Sequence, residues 1–439
     1  MDSLPIVGAG LAGSEAALQL ADAGIPVRLF EMRPGTPTAA HRTGDAAEIV
    51  CSNSLGSFLP DRAGGVLQNE LRALGCKLLP IAEAHAVPAG QALAVNRDTF
   101  AAAVTAELEA HPKIDLIRQE VKCIPADDFV ILASGPLTSD ALASDIAKIS
   151  GEENLSFFDA IAPVVTDASL DKSIIFAASR WRPEEDDYLN IPIDKEQYLA
   201  LIDGLIFGEK HDLKGFEAAD PRAKQFFERC LPVEVLAARG KESLRFGPLR
   251  PVGLDDPRTR RRPYAVVQMR RENKQGTMWN LDGFQTNLAY GEQEKLLRAL
   301  PGMQNAEFVR LGSMHRNTFV CAPKLLHSTL EWRTRQGLFL AGQLTGMEGY
   351  LGNIGSGLLA ARGVLARIEG REPQKLPVET LLGALTFHIS SATASSFQPM
   401  KAEFGILPPL DWKKRTKEER RQANADRSKK ALADFLAAL

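Results

Sequence analysis

Three groups of residues in this 439-residue chain have types and spacings that can do chemistry. The first is the G-x-G-x-x-G turn Gly8-Ala9-Gly10-Leu11-Ala12-Gly13. Gly8 permits a tight strand-to-helix turn, Gly10 lets the backbone approach a pyrophosphate, and Gly13 allows close helix–strand packing. The phosphates then rest against the amides of the helix N-terminus. Glu31 closes the next strand, where a carboxylate accepts a hydrogen bond from an adenosine ribose 2′-OH. A second glycine-rich stretch carries Gly342, Gly346, Gly352, Asn353 and Gly355 at the entrance to a helix. A helix N-terminus there would stabilise the anionic edge of a reduced isoalloxazine, which favours FAD over NAD as the resident dinucleotide. The bland reading of these glycines is tight helix–sheet packing, which is compatible with a flavin. The second group is the cysteines Cys51, Cys76, Cys123, Cys230 and Cys321, with no C-x-x-C pair and no metal-ligand spacing. Lone cysteines are usually buried hydrophobes and, in the minority case, nucleophiles. The third is the stretch 258–274, with seven basic residues, one acid and one tyrosine. It includes Arg258, Arg260, Arg261, Arg262 and Arg270 and suits phosphate contacts with an aromatic to stack a base.

These residues need a scaffold. LPIV at 4–7 reads as a buried strand, SEAALQLADAG as a helix stopping at Gly24, and IPVRLFE as a second strand. GVLQNELRALG reads as a helix, AVPAGQALAV as a hairpin, and Asn96 as the cap of a helix through RDTFAAAVTAELEA. Strands follow in DFVILASGP and QGLFLAGQLTG, the latter running into the helix NIGSGLLAARGVLARI. This alternation predicts an α/β, Rossmann-like FAD/NAD(P)-binding flavoprotein fold. Between about 155 and 305 aromatics, prolines and hairpin-like stretches replace the pattern, so an inserted α+β domain is expected. The expected organisation is a FAD-binding domain in two parts, 1–154 and 306–410, an inserted substrate and RNA domain at 155–305, and a basic helical tail at 411–439, its charged face solvated.

The composition is that of a soluble globular protein, 45% hydrophobic and 24% charged. A net charge of −3 does not announce a nucleic-acid binder, though local patches still can. No apolar run reaches the ~20 residues of a transmembrane helix, and the opening MDSLPIVGAG lacks the basic start of a signal peptide. No membrane, no metal and a cytoplasmic location are the expectations.

Taken together, GAGLAGSEAA at 8–17, CSNSL at 51–55, CLPVE at 230–234, RPYAVVQMR at 262–270, GFQTNL at 283–288, MHRNTF at 314–319 and AGQLTGMEGYLGNIGSG at 341–357 closely resemble the bacterial folate- and FAD-dependent tRNA (uracil-5-)-methyltransferases. The resemblance covers nearly the whole chain. The related, longer flavoproteins that modify the tRNA wobble uridine share the FAD unit but carry an extra C-terminal domain. The resemblance implies FAD, 5,10-methylenetetrahydrofolate as one-carbon donor, NADPH or NADH as reductant, and the T-arm uridine 54 of tRNA as target. It also implies the work of the cysteines. Uracil C5 is a poor nucleophile until a thiolate adds to C6. Cys230, with Arg229 beside it, is the expected nucleophile. Cys51 is expected at the flavin, removing the C5 proton or transiently holding the methylene. His315 either stacks on the folate pterin or is a hydrogen-bonded core histidine. The alternatives are the same chemistry on ribosomal RNA, an NAD(P)H-dependent flavin oxidoreductase acting on a small molecule, and an RNA-binding flavoprotein without catalysis.

Overall fold

The computed structural model describes the chain apart from residues 1–2, 39, 152–154, 183–184, 212–230, 411–415 and 439, and describes 155–160, 314–316 and 396 as backbone only. Leu4–Val7, the first strand, is buried at all four positions, as a parallel strand covered on both faces must be. It lies at the centre of a five-stranded parallel sheet in the order Leu338–Leu340, Val130–Leu132, Leu4–Val7, Val27–Phe30, Ile114–Ile117. Ranked along the chain this order is 5-4-1-2-3, the doubly wound arrangement in which ligands bind beyond the carboxyl ends of the strands. The expected Rossmann-like fold is present.

The first helix, Leu11–Asp22, starts inside the glycine turn, three residues earlier than the sequence suggested. Asn96 caps Arg97–Ala110 as expected, accepting from the Thr99 amide at 3.2 Å. The predicted hairpin is Ala86–Val87 with Ala92–Val95, and Ser54–Ser57 pairs on its other side.

A second, six-stranded sheet is antiparallel throughout, in the order Phe176–Ala177, Tyr188–Ile193, Ala265–Arg271, Met278–Leu281, Val164–Thr166, Phe308–Arg310. Helix Lys195–Phe207 covers it with Tyr198, Leu201, Ile202 and Leu205, giving this sheet a core of its own. Phe308–Arg310 belongs to this sheet through its pairing with Val164–Thr166, three to five residues beyond the boundary expected at 305. Two antiparallel strands, Leu155–Ala160 and Met314–Phe319, run between the two sheets.

The C-terminal helix Lys417–Ala437 is only partly the solvated helix expected. Ser428 and Leu432 are buried, and Ser428 Oγ donates to Glu70 Oε1 at 2.5 Å. Glu70 also accepts from the amides of Leu381 and Leu382 at 2.7 and 2.9 Å, which caps the helix Leu381–Ser391. Among the described residues no helix is long and apolar enough to cross a membrane, and no cluster of three or more His, Cys, Asp or Glu side chains is arranged for a metal ion.

Candidate active site

The glycine turn divides its labour as steric geometry requires. Gly8 has φ +99°, and a Cβ there would lie 2.5 Å from the Ala133 carbonyl oxygen. A Cβ at Gly13 would lie 1.8 Å from the Gly8 carbonyl oxygen, so this position serves helix–strand contact. At Gly10 a Cβ would meet nothing within 4 Å. The space beside it is a cleft of about 110 Å³ whose walls include Gly8, Gly10, Leu11, Ala12, Glu31 and Ser134. Ala9 is buried and its amide donates to Glu31 Oε2 at 3.1 Å, so this residue shapes the turn rather than offering an N–H to the cleft. Glu31 Oε1 accepts from the Arg33 amide and Nε at 3.0 and 2.9 Å. Burial disfavours its charge, but the hydrogen bonds and charge of Arg33 prevail and hold the carboxyl below its ordinary range. His41, on the same cleft, is pulled down to about 4 by burial and then by Arg33, so it is neutral at pH 7.

The second glycine cluster splits. Gly342, at φ +76°, and Asn353 line the dinucleotide cleft opposite the turn. Gly352 and Asn353 line an adjoining cavity. Gly346 and Gly355 do not line either space, contrary to expectation. A Cβ on Gly346 would come within 2.6 Å of Phe397 Cζ, and one on Gly355 within 2.8 Å of Leu382 Cδ1, so both are packing residues. The helix begins at Tyr350 rather than at Asn353, which places Gly352 and Asn353 in its first turn. Gly357, where a Cβ would lie 2.0 Å from the Ala12 carbonyl oxygen, lets this helix cross the first one closely. Asn353 Oδ1 is buried with no hydrogen-bond partner among the described residues. An open pyrophosphate path at Gly10, an acid ending the second strand, and an unsatisfied amide oxygen in the first turn of the far helix together fit a flavin dinucleotide.

The adjoining cavity, about 430 Å³, shares Gln343, Tyr350 and Asn353 with the dinucleotide cleft. Cys51 lines it, half-buried, at the end of the loop that follows the second strand. Tyr350 fixes this loop. Its Oη accepts from the amides of Cys51 and Ser52 at 3.1 and 3.2 Å and donates to the Ser52 carbonyl at 2.9 Å. Burial, and then the neighbouring Cys51, push the phenol well above its ordinary range, so it remains a donor. Behind the loop Arg97 donates to the carbonyls of Ile49 and Cys51 at 2.9 and 3.3 Å and is paired twice with Glu272, at 2.7 and 3.1 Å. Arg310 donates to the Val50 carbonyl at 3.4 Å, and burial together with the charge of Arg97 lowers it to about 10.

The remaining motifs converge on the same walls. Asn53 Oδ1 accepts from Arg270 Nε at 2.8 Å, Arg270 Nη1 lies 3.4 Å from Asp282 Oδ1, and Arg270 and Asp282 both line the Cys51 cavity. Arg270 is therefore a buried wall residue and not part of an exposed phosphate-binding strand. Burial of Ala265–Met269 on the same strand splits the basic stretch in two. Arg258 is held by Asp256 through Nε and Nη2, at 3.0 and 2.7 Å. Arg260, Arg261 and Arg262 remain exposed on the loop. Tyr264 is not free to stack a base: its hydroxyl donates to Glu242 at 2.7 Å and Arg245 lies 4.3 Å over its ring.

Cys230 and Arg229 lie outside the described residues. The segment immediately after Cys230 is anchored to the cavity. The Val233 amide donates to the carbonyl of Gln285, a cavity residue, at 2.7 Å. Glu234 accepts from Thr286 Oγ1 and the Asn287 amide, both at 2.8 Å. His315 sits in the strand Met314–Phe319 opposite Asp159, and only its backbone is described.

Tyr350, Arg97, Glu272 and Arg310 were not singled out from sequence. Tyr350 alone carried a signal, through its place in the glycine-rich EGYLGN run. Replacing Tyr350 with Phe strands the Cys51 and Ser52 amides. The expected result is about 1–3 kcal/mol lower stability and a fall in turnover, with FAD still bound. Chemical denaturation and a flavin spectrum check it; unchanged stability and turnover would remove Tyr350 from this role.

Fold and cleft define a Rossmann-type flavoprotein with an adjoining thiol-bearing cavity. The family model for glucose inhibited division protein A matches residues 3–372. The chain is 49% identical over 435 residues to the methylenetetrahydrofolate–tRNA-(uracil-5-)-methyltransferase TrmFO of Heliobacterium modesticaldum, covering 99% of this chain and 98% of that one. It is 50% identical over 427 residues to the protein of the same name from Moorella thermoacetica, covering 97% of each. Among solved structures, GidA of Aquifex aeolicus superposes with a TM-score of 0.68 at 16% identity, covering 98% of this chain and 73% of that one, which speaks for the fold. This chain belongs to the glucose inhibited division protein A family, and within it to the group of methylenetetrahydrofolate–tRNA-(uracil-5-)-methyltransferases.

Proposed function

We propose that this protein methylates C5 of the T-loop uridine 54 of tRNA, taking the carbon from 5,10-methylenetetrahydrofolate with NADPH or NADH as reductant. The observation that carries the reading is the joining of two chambers at Gln343, Tyr350 and Asn353: one fits a dinucleotide, and the other presents a thiol. Gly8, Gly10, Leu11, Ala12, Glu31, Gly342 and Asn353 would hold FAD. When bound and reduced, FAD supplies the two electrons that turn a methylene into a methyl group. Everything else falls to the chain's own residues. Cys230 adds as thiolate to uracil C6, which makes C5 nucleophilic toward the folate methylene. Cys51, held by Tyr350 and Arg97, takes the C5 proton or transiently carries the one-carbon unit. Arg270, oriented by Asn53 and Asp282, offers N–H donors to a base carbonyl, and His315 is assigned to the folate pterin. The target uridine must leave the stacked loop to reach this cavity. The same chemistry on ribosomal RNA would use these residues unchanged; a cytoplasmic location is part of the proposal.

The test is transfer of label. Undermodified tRNA incubated with the protein, NADPH and methylene-labelled folate is expected to carry label in 5-methyluridine at position 54. Label at another nucleoside, or in ribosomal RNA alone, contradicts the assignment. The RNA surface has its own prediction. Arg260, Arg261 and Arg262 are proposed phosphate contacts, and the 3.6 Å pair between Arg262 and Asp255 is exposed and restrains little. Neutralising all three should weaken tRNA binding and reduce the salt slope by roughly one counterion per lost contact, with FAD content constant. Wild-type affinity and slope in that variant would place the RNA elsewhere.

A further inference from the structure

The turn between the strands Phe176–Ala177 and Tyr188–Ile193 carries Trp181, an aromatic side chain that neither core nor the proposed chemistry uses. Trp181 is 69% exposed, and its backbone is held at φ +63°, a left-handed conformation that a bulky residue adopts only at a cost. The indole is nevertheless fixed. The Trp181 amide donates to the Gly253 carbonyl at 3.3 Å, and the ring lies on Gly253 itself. A Cβ added at Gly253 would stand 2.9, 3.0 and 3.2 Å from Cε2, Cδ2 and Cζ2 of Trp181. Cδ2 and Cε2 form the bond shared by the two rings, which has no free edge, so this approach is to a face. One face of the indole is seated on glycine backbone and the other is turned to solvent.

Arg180 anchors the turn, donating from Nη1 to the Val252 carbonyl at 2.7 Å and from Nε to Gln268 Oε1 at 2.8 Å. These contacts set the ring between the arginine loop and the Cys51 cavity. On one side, Gly253 leads into the loop that carries the exposed Arg260, Arg261 and Arg262. On the other, Gln268 shares a strand face with Arg270, about 7 Å away along Ala265–Arg271. The Gln268 carbonyl also accepts from the Asp282 amide at 2.9 Å, and Arg270 and Asp282 line the Cys51 cavity. Arg250, exposed, is close enough for its charge to add to burial in lowering Arg180. The carboxylates that follow Trp181 are engaged elsewhere: Glu185 pairs with Arg182 at 2.7 Å, Asp186 with Arg271 at 3.4 Å, and Asp187 accepts from the Gly90 amide at 2.6 Å.

We propose that Trp181 is a stacking platform for an unpaired tRNA base near the target uridine, with Arg250 and the exposed arginines of the loop on the flanking phosphates. The inference rests on the reading of this protein as a tRNA-modifying enzyme. An aromatic face accepts any base. Because the opposite face is already seated on Gly253, little side-chain freedom is lost when the base arrives. Trp181 thus takes the stacking role that Glu242 and Arg245 deny to Tyr264.

The experiment uses the full-length, FAD-loaded protein and measures the affinity for undermodified tRNA across a range of salt. Trp181→Ala is expected to bind tRNA about 5- to 150-fold more weakly. Its salt slope should equal that of the wild type, because stacking releases no counterion. Trp181→Leu, which still covers Gly253 but offers no aromatic face, should lose as much, and Trp181→Tyr should recover most of the affinity. KM for tRNA should rise in the alanine and leucine variants, with KM for methylenetetrahydrofolate and FAD content unchanged. Inorganic polyphosphate, which has no bases, should bind the wild type and Trp181→Ala alike. Wild-type tRNA affinity in either the alanine or the leucine variant would overturn the proposal. So would a changed salt slope, an equal loss for polyphosphate, no recovery in Trp181→Tyr, or a dimer that dissociates on substitution with tRNA affinity intact. If the wild type methylates tRNA and Trp181→Ala binds it normally, the platform alone fails; if the wild type binds no tRNA, the proposed function fails with it.

Discussion

Replacing Cys51 or Cys230 with alanine is expected to lower tRNA methylation by ~10²–10⁴-fold or more, while each variant remains yellow. The two losses have different physical origins. Cys51 lines the cavity beside Tyr350, on a loop whose backbone is held at three points by that phenol and from behind by Arg97. Removing its sulfur leaves those backbone bonds intact, so the site keeps its shape and loses only the thiol proposed to handle the C5 proton or the one-carbon unit. Cys230 precedes a segment tied to Gln285, Thr286 and Asn287, and those ties also survive the substitution. On the proposed assignment no thiolate then adds to C6, and C5 stays unreactive. Methylation at the normal rate by Cys230→Ala would refute the nucleophile assignment.

A bulky residue at Gly10 is expected to give folded but colourless protein. Gly10 has φ −71° and ψ −172°, an ordinary extended conformation, so a side chain costs no backbone strain. A Cβ there meets no protein atom within 4 Å and projects into the open cleft. Gly10→Leu should therefore abolish FAD binding and leave the far-ultraviolet circular dichroism and solubility of the apoprotein in place. Gly13→Ala is the contrasting case: its Cβ would collide with the Gly8 carbonyl oxygen at 1.8 Å, so it should impair folding itself. A yellow Gly10→Leu protein with full flavin content would move the pyrophosphate away from this turn.

The difference between these two glycines shows what sequence makes legible. The strand–turn–helix–strand unit is encoded locally, by apolar runs, by glycines at fixed offsets and by the closing acid Glu31. The parallel sheet and its first ligand cleft follow from it. A glycine farther along carries no mark of what lies opposite it. Gly342 faces the cleft, whereas Gly346 faces Phe397 and Gly355 faces Leu382, and both of those partners belong to later segments of the chain. Arg270 has the composition of a phosphate contact, yet its partners Asn53 and Asp282 come from other motifs and turn it into a cavity wall. Tyr264 is withdrawn from base stacking in the same way, by Glu242 and Arg245. The Cys51 support formed by Tyr350, Arg97 and Glu272 joins segments 46 to 299 residues apart, a separation no local pattern records.

Covalent catalysis on a tRNA uracil by this flavoprotein scaffold, as proposed, leaves an adduct that a mechanism-based trap can capture. Transfer RNA carrying 5-fluorouridine in the T-loop cannot release its C5 substituent as a proton, so the reaction should stall with protein and RNA joined. Incubated with methylenetetrahydrofolate and NADPH, the wild-type protein is expected to give a denaturation-resistant protein–RNA band. Cys230→Ala should give none, and Cys51→Ala should keep it, because addition to C6 precedes proton removal. A wild-type protein that methylates ordinary tRNA yet forms no such band would contradict the account, and a band lost only in Cys51→Ala would exchange the roles of the two cysteines.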